Sequence, residues 1–154
     1  SHNLELEWIY KLFCRLQEER KDCILEIVVN RFWRKKFKRI PRVRMFYPMD
    51  LKTFLLDSSS RKIDILLSPL FENNFNKCRS PVKFIDAVRL HSVGIYSNCE
   101  PYSDFISNNI DGILLPNKHE KWLETIDELL KNKKKRMQMV ESAQLKTLSI
   151  VGKN

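Results

Sequence analysis

The segment Ser80-Pro81-Val82-Lys83-Phe84-Ile85-Asp86 sets a hydroxyl, a proline, a cation and a carboxylate at close helical spacing. Ser and Pro ahead of an apolar-periodic run predict a helix start, with Ser80 as N-cap and Pro81 at the first helical position. The free backbone N–H groups of such a start, the helix dipole and Lys83 together make a site for an anion. Asp86 falls on the same ridge as Lys83, three residues on. A carboxylate there suits ribose or sugar hydroxyls better than phosphate. The same residues equally describe a capped helix with a surface Lys–Asp pair, and both readings stand at this point.

Other side chains give weaker signals. Glu72 lies in the loop after the third predicted strand, placed to meet a sugar hydroxyl or simply to be solvated. His91 and His119 have no carboxylate, Cys or Ser partner in sequence and read as plain surface histidines. Cys14, Cys23, Cys78 and Cys99 stand far apart, without the clustering that a metal site or a disulfide framework needs. With three glycines (Gly94, Gly112, Gly152), the chain has neither a dinucleotide fingerprint nor a phosphate-cradling glycine loop. No acidic pair ends the first strand, so a response-regulator receiver is excluded.

These groups need elements to hold them. Apolar spacing predicts a helix over residues 4–20, burying Trp8, Ile9, Leu12, Phe13 and Leu16. The β-branched run Cys23–Val29 predicts a strand buried on both faces. A basic helical segment follows, then a strand over Val43–Tyr47 and a short helix capped by Asp50 that turns Leu51, Phe54 and Leu55 inward. Further strands are expected at Ile63–Leu70, Val93–Ser97 and Gly112–Pro116, with a short helix from Pro101. "LDSSSRK" (Leu56–Lys62) reads as a polar connection. Asn117 and Glu120 form an N-cap and N3 pair before Trp122, and a last helix spans 134–148 on Met137, Val140 and Ala143. Alternating strands and helices predict an α/β, Rossmann-like three-layer α/β/α domain over residues 3–150, with a parallel sheet of about five strands. Ligands of such sheets sit at the carboxyl ends of the strands.

A net charge of +9 points to an anionic partner. Eight basic residues in Arg31–Arg44 alternate with Phe32, Trp33 and Phe37. The aromatics can bury one face while the cations fan out, as a solvated face or against an anionic membrane. Nucleic acid is not the expected partner, because no nucleic-acid motif accompanies the charge. "KNKKKR" (Lys131–Arg136) reads as a solvated helix junction. No apolar run approaches the roughly 20 residues that span a bilayer, and no signal-peptide pattern is seen. A soluble, cytoplasmic protein or a piece of a larger one is expected, with peripheral contact to the inner membrane face through the basic segment.

Asp64–Leu130 carries a further pattern. An aspartate (Asp64) opens a strand ending in Pro69-Leu70, followed by the Asn-rich loop Asn73–Asn76 and the helix of Arg79–Asp86. Then come Gly94–Ser97, Pro101-Tyr102, Gly112–Asn117 and a helix bearing Trp122. This order resembles the C-terminal half of GT-B glycosyltransferases of the retaining, glycogen-synthase-like group, family 4 type, in bacterial surface-polysaccharide pathways. The resemblance implies that the domain binds a UDP- or GDP-linked sugar. The diphosphate would meet Arg79, Ser80, Val82 and Lys83, and the ribose Asp86. Glu72 and Asn76 would line the donor loop, and Tyr47, with Pro48 and Met49, the base pocket. It also implies an acceptor domain upstream, work without a bound metal or other cofactor, and inactivity of this chain alone. The pattern is broken at Asp86, where Glu is usual, and at Cys78, where an acid is usual. Two other readings stay open: a basic interaction module binding anionic membrane or nucleic acid through Arg31–Arg44, and a degenerate, non-catalytic GT-B domain.

Overall fold

The computed structural model describes residues 3–152. It is a mixed α/β, Rossmann-like chain in which every strand ladder is parallel. The five expected strands are present but form two sheets, one of two strands and one of three, rather than a single sheet. The chain divides correspondingly into two compact units, with the division at Asp57 and Ser58.

The first unit opens with α1 (Asn3–Glu19), whose expected stripe Trp8, Ile9, Leu12, Phe13 and Leu16 is buried. Strand β1 (Leu25–Val28) pairs in parallel with β2 (Val43–Phe46), and α2 (Arg31–Phe37) makes the crossover. Asn30 caps α2 by accepting the Trp33 amide at 3.2 Å. Trp33 and Phe37 face inward as expected, and Phe37 packs edge-on against Tyr10 of α1. Phe32 does not join them: it is 73 % exposed. Consecutive helical residues diverge by about 100° around the axis, so burying Trp33 and Phe37, four apart, turns Phe32 outward. Strand β1 is also not buried on both faces. Ile24 and Val28 are exposed and Leu25–Ile27 half-buried, because a two-stranded ladder leaves each strand with a free edge.

Helix α3 (Leu51–Ser60) is capped by Asp50, whose Oδ1 accepts the Thr53 amide at 2.9 Å. It runs through most of the segment expected to be a polar connection, and it turns Leu51 and Leu55 outward rather than inward.

In the second unit, β3 (Ile65–Ser68), β4 (Val93–Ser97) and β5 (Ile113–Leu115) pair in the order β3-β4-β5. The central position explains why β4 is buried along its whole length. Ile95 and Tyr96 point to opposite faces of the strand and neither is exposed, so both faces of β4 are covered. Helix α4 (Asn74–Lys77) is short; α5 (Val82–Arg89) and α8 (Lys133–Val151) pack on each other and on β4. With α6 (Tyr102–Phe105) they bury Phe84, Tyr96, Tyr102, Ile106 and Ala143 together. Helix α7 (His119–Lys131) buries Trp122, Leu123, Ile126 and Leu129. Two expectations shift here. Lys118 rather than Asn117 takes the N-cap position of α7, because the Asn117 side chain is held by the sheet. Met139 rather than Met137 joins Ala143 inside, four residues apart on one face of α8.

Tyr96 occupies a notch cut by glycines. A Cβ at Gly94 would lie 2.0 Å from the Tyr96 hydroxyl, and one at Gly112 would lie 3.0 Å from its ring. The ring thus lies along its own strand over Gly94 and against β5. Its hydroxyl is buried without a hydrogen-bond partner among the described residues, and burial pushes its pKa well above the usual phenol range.

Candidate functional site

The carboxyl edge of β3-β4-β5 gathers most of the residues singled out in the sequence. Helix α5 begins one residue later than the Ser-Pro pair predicts. Pro81 is the N-cap, with ψ at 43°, and the Phe84 amide donates to its carbonyl at 2.9 Å. Ser80 is exposed and does not cap the helix, because Pro81, with its ψ outside the helical range, itself takes the cap position. Among the described residues no side chain caps α5. The helix therefore starts with orphan donors and a positive dipole end, beside exposed Val82 and Lys83.

Lys83 and Asp86 are joined. Lys83 Nζ donates to Asp86 Oδ2 at 2.9 Å, and Arg89 approaches Asp86 Oδ1 at 3.6 Å. The Asp86 side chain is 9 % exposed and that of Lys83 is 54 % exposed. The carboxylate thus lies nearly buried between two cations on its own helix, whereas the ammonium end of the pair is open to solvent.

The loop before α5 is braced by its asparagines. Asn73 Oδ1 accepts the Asn76 amide at 2.7 Å and so caps α4. Buried Asn76 donates through Nδ2 to the Phe71 carbonyl at 2.7 Å. Its Oδ1 faces Arg79 Nη1 at 3.5 Å, and the Arg79 amide donates to the Asn76 carbonyl at 3.2 Å. Asn76 therefore positions Arg79 beside the helix start. Arg79 also lies 5.9 Å from the ring centre of Phe75, which is 75 % exposed. Glu72 is exposed in the same loop.

A second layer of contacts ties the strand ends. Ser97 Oγ accepts the Leu70 amide at 2.7 Å and donates to Asn117 Oδ1 at 2.5 Å. Asn117 Nδ2 donates to the Leu70 carbonyl at 2.9 Å, closing a ring across the chain segments that leave all three strands. The Cys99 thiol, its pKa raised by burial, faces that carbonyl at 3.7 Å. Below it, the Ser68 and Tyr102 hydroxyls meet at 2.8 Å. Sequence reasoning did not see this frame. Its one signal is the set of short polar residues Ser68, Ser97 and Asn117, each standing at or just past the end of an apolar strand.

Tyr47 belongs to the first unit, where it is 59 % exposed with the Arg34 guanidinium 4.1 Å from its ring centre. The other seven residues named for nucleotide-sugar binding belong to the second. His91 Nδ1 lies 2.9 Å from Gln144 Nε2. Among the described residues no group of three or more His, Cys, Asp and Glu is arranged to hold a metal ion, and none of their helices is long and apolar enough to cross a membrane.

Chemically, this edge offers an uncapped helix start, one guanidinium and one half-exposed ammonium, which together suit a phosphate or diphosphate. Comparison with known families and with curated proteins finds no match for this chain, and the glycosyltransferase resemblance rests on the motif order alone.

Proposed function

We propose that the chain is the donor-binding half of a retaining, GT-B-type glycosyltransferase that takes a UDP- or GDP-linked sugar. The observation that carries this reading is the uncapped start of α5 at the carboxyl edge of a parallel sheet, flanked by Arg79 and Lys83. Ligands of parallel sheets collect at that edge. In the donor complex, the exposed Lys83 ammonium leaves Asp86 and turns to the diphosphate, which also releases Asp86 Oδ2 for a ribose hydroxyl. Opening the pair leaves the nearly buried Asp86 carboxylate with Arg89 as its remaining cation, so the diphosphate and ribose contacts must offset the lost bond. The helix dipole and the two cations then stabilise charge on the leaving diphosphate.

Titration of the chain with UDP or GDP, followed on backbone amides, tests the proposal. Saturable shifts at Ser80–Asp86 are expected. Shifts that leave those amides untouched would sink it. No turnover of a nucleotide-sugar is expected from these residues alone, because a GT-B site is completed by an acceptor domain across a cleft.

A second reading draws on the first unit. Arg31, Lys35, Lys38 and Arg39 are exposed around the exposed ring of Phe32. That surface fits peripheral contact with an anionic cytoplasmic membrane face. Salt-dependent vesicle binding that is indifferent to UDP would favour a basic interaction module over a donor domain.

A further inference from the structure

A cleft of about 490 Å³ opens at the amino ends of β1 and β2, the edge opposite to the one a Rossmann-like sheet uses for its nucleotide. Phe37, Ile40, Val43 and Met45 contribute apolar lining, and four cations, Lys21, Lys38, Arg42 and Arg44, surround it. Asp22 is the one acid in the lining, and it is already committed. It accepts two hydrogen bonds from Arg20, at 3.0 and 2.7 Å, which hold its pKa down at about 2. Arg44 reaches Glu26 on the facing strand at 3.2 Å. Lys21 and Lys38 are exposed and meet no acid among the described residues.

Arg42 is the central oddity. Its φ of 56° lies in the left-handed region, which a long side chain occupies at a cost of roughly 1–3 kcal/mol. Among the described residues its guanidinium makes one long hydrogen bond, from Nη2 to the Arg20 carbonyl at 3.4 Å, and its buried Nε meets no partner. A strained backbone thus aims an under-used fork of donors at a cleft where other cations already crowd. Mutual repulsion, backbone strain and unmet donors are three separate costs, which the Arg44–Glu26 and Arg20–Asp22 pairs offset only in part. One anion would relieve the repulsion and use the donors.

We propose that this cleft binds a phosphate-bearing anion, its oxygens held by Arg42, Lys21 and Lys38 and an adjoining apolar portion resting on Ile40 and Met45. Planar guanidinium donors match phosphate oxygens, and the apolar lining favours a phosphate ester over a bare ion. The phosphate can belong to a lipid headgroup or to a free metabolite. The site stands on the first unit alone and does not rest on the donor-binding reading.

The test is an amide-resolved titration of the whole chain with inorganic pyrophosphate, read at residues 21–24 and 38–45. Saturable shifts there are expected, lost in parallel as salt rises. The Lys21→Gln/Lys38→Gln double variant should weaken binding about tenfold or more, the scale of one lost charge-assisted contact. Arg42→Gly keeps the left-handed backbone without strain while removing the guanidinium. It should bind at least about tenfold more weakly and yet unfold no earlier than the parent chain. Vesicles of phosphatidylcholine with phosphatidic acid separate the sources. Vesicle binding displaced by pyrophosphate identifies a headgroup, and saturable pyrophosphate binding without vesicle binding identifies a free phosphate compound. Shifts confined to residues 76–86, or rising without saturation across exposed lysines such as Lys133 and Lys134, overturn the proposal. So does unchanged affinity in both variants. Because the readout lies at residues 21–45, its failure is distinguishable from failure at Ser80–Asp86.

Discussion

Ser97 donates its hydroxyl to Asn117 Oδ1 at 2.5 Å, and through this bond the exits of β4 and β5 are fixed to each other and to Leu70. Every member of the ring both gives and takes a hydrogen bond, so the ring has no slack. Removing one partner leaves a buried donor or acceptor unmet, which costs about 1–3 kcal/mol per orphaned group. Asn117→Ala should therefore destabilise the chain by about 2–4 kcal/mol in urea unfolding. Ser97→Ala should cost less when added to Asn117→Ala than alone, since contacting residues are coupled. Additive losses would show that the ring does not act as a unit.

The glycine notch around Tyr96 gives a prediction of opposite sign. The phenol hydroxyl is fully buried and unpartnered among the described residues, so it contributes only a desolvation cost. Tyr96→Phe keeps the ring against Gly94 and Gly112 and removes that cost, and should stabilise the chain by about 1 kcal/mol or more. Gly94→Ala should do the reverse. Its Cβ would lie 2.0 Å from the hydroxyl and 2.1 Å from the ring, so the Tyr96→Phe background should not rescue it. Overpacking of this kind costs roughly 1–3 kcal/mol and often more against a ring that cannot move.

The same hydroxyl sets an alkaline limit. Burial raises the Tyr96 pKa in the folded chain above its unfolded value near 10. The folded state then holds a proton that the unfolded state releases, so stability falls as pH rises past about 10. Below that pH the contribution is fully present. Unfolding free energies measured from pH 8 to 11 should decline less steeply for Tyr96→Phe than for the parent. Identical slopes would mean that Tyr96 does not titrate with unfolding.

Much of this architecture is legible in the sequence because it follows from period. The α1 stripe from Trp8 to Leu16 repeats at helical spacing, and it is buried as read. The five apolar runs become five parallel strands. What periodicity does not carry is neighbourhood. The run Cys23–Val29 and the run Val93–Ser97 look alike, yet only β4 has a hydrogen-bonded strand on each side, and only β4 is buried throughout. Caps mislead for a related reason. Ser80 and Asn117 have the right chemistry for N-caps, but Pro81 displaces the first, and a sheet contact claims the second. The Lys83–Asp86 spacing was legible as a pair, while the near burial of the acid and its approach to Arg89 depend on tertiary packing.

The last prediction concerns that pair. In the chain as it stands, Lys83 is bound to Asp86, and the donor reading needs the two to part. Lys83→Met removes the exposed cation but leaves Asp86 beside Arg89. The chain should stay folded at a cost of about 1–3 kcal/mol, since the acid left behind is nearly buried but keeps Arg89. UDP affinity should nevertheless fall about tenfold, the scale of a lost charge-assisted hydrogen bond to phosphate. Asp86→Glu lengthens the acid by one methylene and carries its oxygens outward from the helix. If Asp86 serves the ribose, this change should tighten UDP binding, whereas a phosphate alone, such as inorganic pyrophosphate, should bind as before. Equal UDP affinity in parent, Lys83→Met and Asp86→Glu chains would leave the pair a structural feature of α5 and favour the degenerate-domain reading. A loss in the first and a gain in the second would divide the two residues between diphosphate and ribose.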